Sequence, residues 1–491
     1  MTLSEAVGAP PPNTGDQSAK RWLILAVIAL AQVMVILDAT VVNIALPSAQ
    51  ADLLFDDSQR QWLVTGYALS FGSLLLIGGR IADLFGRRIA FLVGVVGFAV
   101  ASAVGGAAGS FEVLVGARVG QGVFAALLAP AALSLLTTTF TDPVERGKAF
   151  GIFGAISGAG GAIGLLLGGV LTEYLDWRWC MYVNLVFAGV AFLGGIGLLK
   201  HSPSAERPKL DLVGVATATA GMFALVYGLA NAEQDGWGSA STISFLAAGV
   251  VLLVVFVYSQ RRAANPLLPL RILAHRNRGG SFVAMFLLSA AMFVIFLFLT
   301  FYMQQNLRFG PVQSGVAFLP MIGALMVSAT TATTVLLPRV GPRVMVPLGM
   351  VAAGAGTALL ALLDETSTYA SGVLPGLILS GLGIGLTMAS AMNVGIAGVA
   401  AQDSGAASAA INAIQQVGGS IGTALFSTVA ANAVTAALTD GANPVSAAIS
   451  GYSAAFAWAA GAFVLGAVLS GLVLRPGVPE ELKSPQQVVH M

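Results

Sequence analysis

Asp38 and Arg118 are charged side chains set deep inside long apolar runs of a 491-residue chain in which only 9% of residues are charged. Burying a charge in hydrocarbon costs at least about 2.5–3.5 kcal/mol, so such residues mark functional positions by default. Asp38 lies eight residues before Leu46 and Arg118 seven residues after Phe111. At about 1.5 Å of rise per residue both fall about 10–12 Å below the same surface, close enough to meet. Desolvation favours the protonated form of a carboxylate and a neighbouring guanidinium opposes it. A movement that changes the separation of such a pair therefore captures or releases a proton. The plainer alternative is a fixed pair that only tightens helix packing.

Other chemistry is poorly provided for. A single cysteine, Cys180, permits no internal disulfide, and His201, His275 and His490 form no metal-ligand spacing. No Gly-x-x-x-x-Gly-Lys-Ser/Thr loop is present for nucleotide phosphates. Catalytic residues, metal ligands and cofactors are thus expected to be absent. A net charge of +1 gives no reason to expect a nucleic-acid partner.

The elements that position the pair are membrane helices. With 57% hydrophobic residues, the chain contains fourteen runs near the roughly 20 residues needed to span a bilayer. They lie at 22–46, 61–79, 89–108, 111–138, 149–171, 179–199, 211–231, 241–260, 280–303, 313–336, 344–363, 369–396, 406–431 and 452–474. Placing both termini in the cytoplasm leaves nineteen basic residues against ten acids in inner segments, and three against eleven in outer ones. The positive-inside rule selects that orientation.

Two pairs of segments repeat at similar offsets. Phe85-Gly86-Arg87-Arg88 matches Val340-Gly341-Pro342-Arg343, and Glu145-Arg146-Gly147-Lys148 matches Asp403-Ser404-Gly405-Ala406. The expected fold is therefore all-α and integral to the membrane, with fourteen transmembrane helices in two pseudo-symmetric six-helix bundles and an inserted two-helix hairpin. Residues 1–20 are expected as a disordered cytoplasmic tail, 21–200 as the first bundle, 201–262 as the inserted pair, 263–475 as the second bundle and 476–491 as a second cytoplasmic tail.

The segment Gly79-Arg80-Ile81-Ala82-Asp83-Leu84-Phe85-Gly86-Arg87-Arg88 reads as a tight cytoplasmic turn in which Asp83 pairs with Arg87 at i+4. It resembles the signature of the major facilitator superfamily between its second and third spans, which implies a gate made by Gly79, Arg80, Asp83, Gly86, Arg87 and Arg88. Leu37-Asp38-Ala39-Thr40-Val41-Val42-Asn43-Ile44-Ala45-Leu46-Pro47 resembles the first-span motif of the fourteen-span drug:proton antiporter (DHA2) family. Leu114-Val115-Gly116-Ala117-Arg118-Val119-Gly120-Gln121-Gly122 is similar to the fourth-span motif whose arginine that resemblance links to proton coupling. Gly160, Gly164, Gly168 and Gly169 look like the exporters' glycine motif, with Leu165 where that motif carries proline. Trp177-Arg178-Trp179 through Asn184 follows the family's pattern before and into the sixth span.

The resemblance implies a proton-coupled exporter of small hydrophobic or amphiphilic compounds such as drugs or antibiotics, acting by alternating access. It implies a monomer in the inner (plasma) membrane, whose partners are its substrate, protons and the lipid bilayer. Candidate substrate contacts are Gln32, Asn43, Phe293, Phe296, Asn412 and Gln415. An importer of a small metabolite on the same fold is the first alternative. A membrane-embedded enzyme would show acids or histidines clustered at one face, and a sensor would show no substrate flux.

Overall fold

The computed structural model describes residues 14–55, 57–199 and 211–479, so 1–13, 480–491, Lys200, Arg207 and Lys209 lie outside the described residues, while 14–20 of the expected first tail are helical. The described chain is almost wholly helical. In order the helices are α1 (Thr14–Leu53), α2 (Asp57–Phe85), α3 (Arg87–Gly106), α4 (Phe111–Thr139), α5 (Pro143–Tyr174) and α6 (Trp179–Leu198). Then come α7 (Leu212–Asp235), α8 (Ala240–Arg262), the short α9 (Leu270–Ala274), α10 (Arg276–Gln305), α11 (Pro311–Ala317), α12 (Leu319–Thr331) and α13 (Leu337–Val340). The last are α14 (Pro342–Leu360), α15 (Leu374–Ile396), α16 (Ser404–Thr439) and α17 (Pro444–Val473).

Among the described residues thirteen helical segments are long and apolar enough to cross a membrane. In lipid every backbone N–H and C=O must be paired internally, and helices do this within one segment. Rows such as Val93, Val96, Val100 and Val104 on α3, or Val250, Val251, Val254 and Val257 on α8, are exposed. Facing acyl chains, these rows carry no penalty. The interior instead uses small residues, which let helix backbones approach closely.

Helices α1 to α6 pack mainly on one another, through α2–α4, α3–α4, α3–α6, α1–α5 and α1–α6, while α10 to α17 form a second set through α14–α15, α12–α15, α14–α17, α10–α17 and α10–α16. The sets meet along α2–α16 and along α5 with α11, α12 and α15; α7 lies against α8, α2 and α16. One end of the molecule gathers arginines that cap neighbouring helices: Arg88 donates to Ile196 O at 2.9 Å, Arg276 to Val473 O at 3.2 Å and Arg343 to Gly471 O at 3.1 Å. Cations at helix C-termini complement the helix dipole. The other end gathers acids, with Asp52 2.7 Å from Arg178 and accepting from Trp177 Nε1 at 3.1 Å. Those two donors hold the Asp52 carboxyl below the usual carboxylate range.

Three sequence expectations need correction. The first span does not stop near Leu46 but runs through Pro47 to Leu53, which puts Asp52 on a helix. The 79–88 segment is not a loop. Helix α2 stays helical to Phe85, and Gly86 alone breaks it before α3. The span at 313–336 is not continuous: it is divided into α11, α12, a π-helical turn (Ala332–Leu336) and α13. Pro320 and Pro338 lack the amide donors that an unbroken ladder requires.

Gly86 has φ 96° and Gly341 φ 77°, each at the start of a helix, α3 and α14 respectively. Left-handed backbone at these breaks explains why glycine recurs at that offset. Gly86→Ala is expected to lower stability by about 1–2 kcal/mol, measured as a lower melting temperature in detergent, whereas Gly116→Ala, where nothing lies within 4 Å of the new Cβ, should change it little.

Candidate functional site

Asp38 and Arg118 meet as their depths predict. Arg118 Nη1 lies 2.6 Å from Asp38 Oδ2, and neither side chain exposes more than 2% of its surface. The pair is embedded in a five-helix network. Gln121 Nε2 on α4 donates to Asp38 Oδ1 at 2.7 Å, and so does Asn184 Nδ2 on α6 at 2.7 Å. Gln121 Oε1 accepts from Arg118 Nη1 at 2.7 Å, while Arg118 Nε donates to the backbone oxygen of Leu63 on α2 at 3.1 Å. Ser102 Oγ on α3 accepts from Gln121 Nε2 at 2.8 Å, and the Tyr67 ring on α2 lies 4.5 Å from the guanidinium carbon. A buried ion pair is tolerated only when its remaining hydrogen-bonding capacity is met, and here several neutral partners meet most of it. A narrow apolar cleft lined by Val42, Leu46, Leu63, Leu114 and Trp177 reaches Arg118. It approaches from the acidic end.

Gln121, Asn184, Ser102 and Tyr67 were not singled out from sequence as site residues. Gln121 sits at i+3 from Arg118, which places both on one helix face. That spacing was the available signal. Asn184 is a polar residue in the sixth apolar run, but uncharged polar residues in such runs commonly serve helix association alone.

The glycine motif positions Asp38 from behind. A Cβ on Gly160 would lie 2.5 Å from Ile36 Cγ2, one on Gly164 1.8 Å from Thr40 Oγ1 and one on Gly168 3.2 Å from Val41 Cα. These glycines bring α5 against the stretch of α1 that carries the carboxylate. Gly169 is buried beside them.

At the basic end, Arg87 Nη2 lies 3.7 Å from Asp83 Oδ1. The same oxygen accepts from Gly405 N at 3.2 Å, in the first turn of α16. An anion at a helix N-terminus meets unpaired amides and the positive end of the dipole. Gly79 is required for approach rather than for a turn: its Cβ would stand 2.6 Å from Gly405 O and 2.5 Å from Ala409 Cβ. Ser134 Oγ on α4 and Ser404 Oγ on α16 are 2.7 Å apart, and Arg271 on α9 pairs with Asp403. Arg80 is 7% exposed, and Arg88 ties α3 to α6.

The proposed substrate contacts are dispersed. Gln32 is buried, Gln415 half-buried, and Asn412 donates to Ser408 O of its own helix at 2.9 Å. Phe296 packs on Phe318 with ring centroids 5.3 Å apart, whereas Phe293 is 42% exposed. The side chain of Asn43 lies outside the described residues. Among the described residues no hydrogen bond joins any two of the six.

Two packed helix sets, with a buried ion pair in one of them and a glycine-dependent contact between them at one end, fit a membrane carrier, and the model of the Major Facilitator Superfamily matches residues 28–423. The chain belongs to that superfamily. It is a secondary-active transporter related to drug and antibiotic efflux proteins, not an enzyme. It is 49% identical to the puromycin resistance protein pur8 of Streptomyces alboniger over 93% of this chain and 92% of that protein. It is 36% identical to the cephamycin export protein CmcT of Amycolatopsis lactamdurans over 87% of this chain and 88% of that protein. The fold resembles the solved proton:xylose symporter XylE, with a TM-score of 0.66 at 12% identity over 96% of this chain and 99% of that one.

Proposed function

We propose that the chain is a fourteen-span drug:proton antiporter of the DHA2 branch, exporting small hydrophobic or amphiphilic antibiotics across the plasma membrane as a monomer. In this reading α1–α6 and α10–α17 are the two pseudo-symmetric bundles, α7 and α8 the inserted pair, and α5 the span that completes fourteen. Both termini are cytoplasmic, and the basic end faces inward. The observation that carries the proposal is the fully buried carboxylate of Asp38 inside the first helix set, held by Arg118, Gln121 and Asn184.

Asp38 carries the proton. As the bundles rock, a shift of α1 relative to α4 within the first bundle changes the Asp38–Arg118 distance and hence alternates proton capture with release. Gly160, Gly164, Gly168 and Gly169 let α5 move with α1 at close range. Gly79, Arg80, Asp83, Gly86, Arg87 and Arg88 hold the cytoplasmic side shut through the Asp83 contact with α16. The membrane potential supplies about 2.3 kcal/mol per charge per 100 mV, so each proton entering can drive substrate outward. Gln32, Asn43, Phe293, Phe296, Asn412 and Gln415 contribute to a mostly apolar binding region, as lipophilic ligands need.

The relatives make puromycin and cephamycin the first compounds to test. Expressed in an efflux-deficient bacterium, the chain should raise tolerance to a subset of a compound panel and lower the cells' accumulation of those compounds. Unchanged tolerance across the panel, or accumulation raised by expression, would overturn export.

A further inference from the structure

Asn184 is fully buried, and its two polar atoms are used unequally. Nδ2 donates to Asp38 Oδ1 at 2.7 Å and lies 3.4 Å from Ser102 Oγ, while Oδ1 is buried with no hydrogen-bond partner among the described residues. An ionised carboxylate only accepts, whereas a protonated one must also place a donor. The acceptors around Asp38 are already taken: Gln121 Oε1 and Leu63 O by Arg118, and Ser102 Oγ by Gln121. The oxygen of Asn184 is the one left free.

We propose that Asn184 is a positioning residue that keeps Asp38 hydrogen-bonded in both protonation states, its amide turning so that Oδ1 accepts from the newly protonated carboxyl. This rests on the reading of Asp38 as the proton carrier. A half-turn about the terminal torsion exchanges oxygen and nitrogen at nearly fixed positions. The covalent balance is simple: Asp38 gains one proton from water, and Asn184 gains and loses none. In the turned setting Ser102 can donate its hydroxyl to the same oxygen, so one amide atom lacks a partner in either state. Neither state is then favoured by hydrogen-bond count, and the amide can follow the proton in both directions.

The titratable or charged groups that face Asp38 are Arg118 from α4, Tyr67 from α2 and Cys180 from α6. Helices α3 and α5 face it with Ser102 and with Gly164 and Gly168, which do not titrate. Asn184→Leu keeps the shape of the side chain and removes both polar atoms. The carboxylate would retain two of its three donors, but the protonated acid would lose its free acceptor. Of the two bonds lost, the charge-assisted one to the ionised carboxylate is the stronger, so the pH profile of proton-coupled export should move to the alkaline side by up to about one unit, and Asn184→Ser, whose hydroxyl both donates and accepts, should bring most of it back.

A second readout needs no transport. The infrared carbonyl band of protonated Asp38, isolated by subtracting the Asp38→Asn spectrum in detergent, should shift in Asn184→Leu and return toward wild type in Asn184→Ser. Export profiles that superimpose for wild type and Asn184→Leu, a shift to the acid side, or an unmoved carbonyl band would each overturn the proposal for Asn184. Retention of proton coupling by Asp38→Asn would instead overturn the role of Asp38 itself, so the two failures are separable.

Discussion

Asp38→Asn is expected to abolish export driven by a pH gradient in inverted vesicles, reducing it to the passive leak. Substrate exchange without a gradient should persist, because binding and rocking do not require the charge. The substitution preserves volume, and Asn can still accept from Gln121 or Arg118. It leaves the buried Arg118 without a counter-charge, and breaking a buried pair by removing one partner costs about 3–5 kcal/mol. The Leu63 carbonyl, Gln121 and the Tyr67 ring still hold the guanidinium, which places the loss at the low end of that range. A lower melting temperature should thus accompany the loss of coupling, and Arg118→Met in the same background should recover part of the stability without recovering transport. Full gradient-driven export by Asp38→Asn would remove Asp38 from the mechanism.

Gly79→Val should have the next largest effect, on the conformational equilibrium. Its added carbon meets the backbone oxygen of Gly405 as well as Ala409 Cβ, and a backbone atom cannot rotate aside. Helices α2 and α16 must separate at the basic end, carrying the Asp83 contact with Gly405 apart. Overpacking of this kind costs about 1–3 kcal/mol, which corresponds to a shift of about 5–150-fold in a two-state population. A reporter cysteine in S404C, beside that contact, should label correspondingly faster from the basic side with a membrane-impermeant maleimide, and net export should fall at least about tenfold. Unchanged labelling would show that the contact does not govern closure.

The parts of this arrangement legible in the sequence are those with a large local cost. A charge in hydrocarbon is conspicuous, and helix rise alone predicts that Asp38 and Arg118 share a depth, as they do at 2.6 Å. The existence of the apolar helices was legible for the same reason. Gln121, Ser102 and Asn184 were not, because an uncharged polar residue costs little inside a bundle and its partner depends on packing between distant segments. The contact of Asp83 with Gly405 spans 322 positions; Asp83 was visible in the charged 79–88 segment and Gly405 as a repeat landmark, but no periodicity joins them. Gly79 looked like a turn residue because it neighbours charges and a second glycine, yet only Gly86 has positive φ. The divided helix at 311–340 was hidden by its hydropathy, although Pro320 and Pro338 marked its joints.

Proton movement is the most direct test of the claim that Asp38 couples an export cycle. Purified protein would be reconstituted in liposomes enclosing a pH-sensitive dye, with an outward or inward gradient of a compound from the tolerance screen imposed and no initial pH difference. The expected result is proton flux opposite in direction to the compound, reversing when the compound gradient is reversed, and absent in Asp38→Asn. Compound flux with no proton movement, proton flux in the same direction as the compound, or equal proton flux in Asp38→Asn would contradict it.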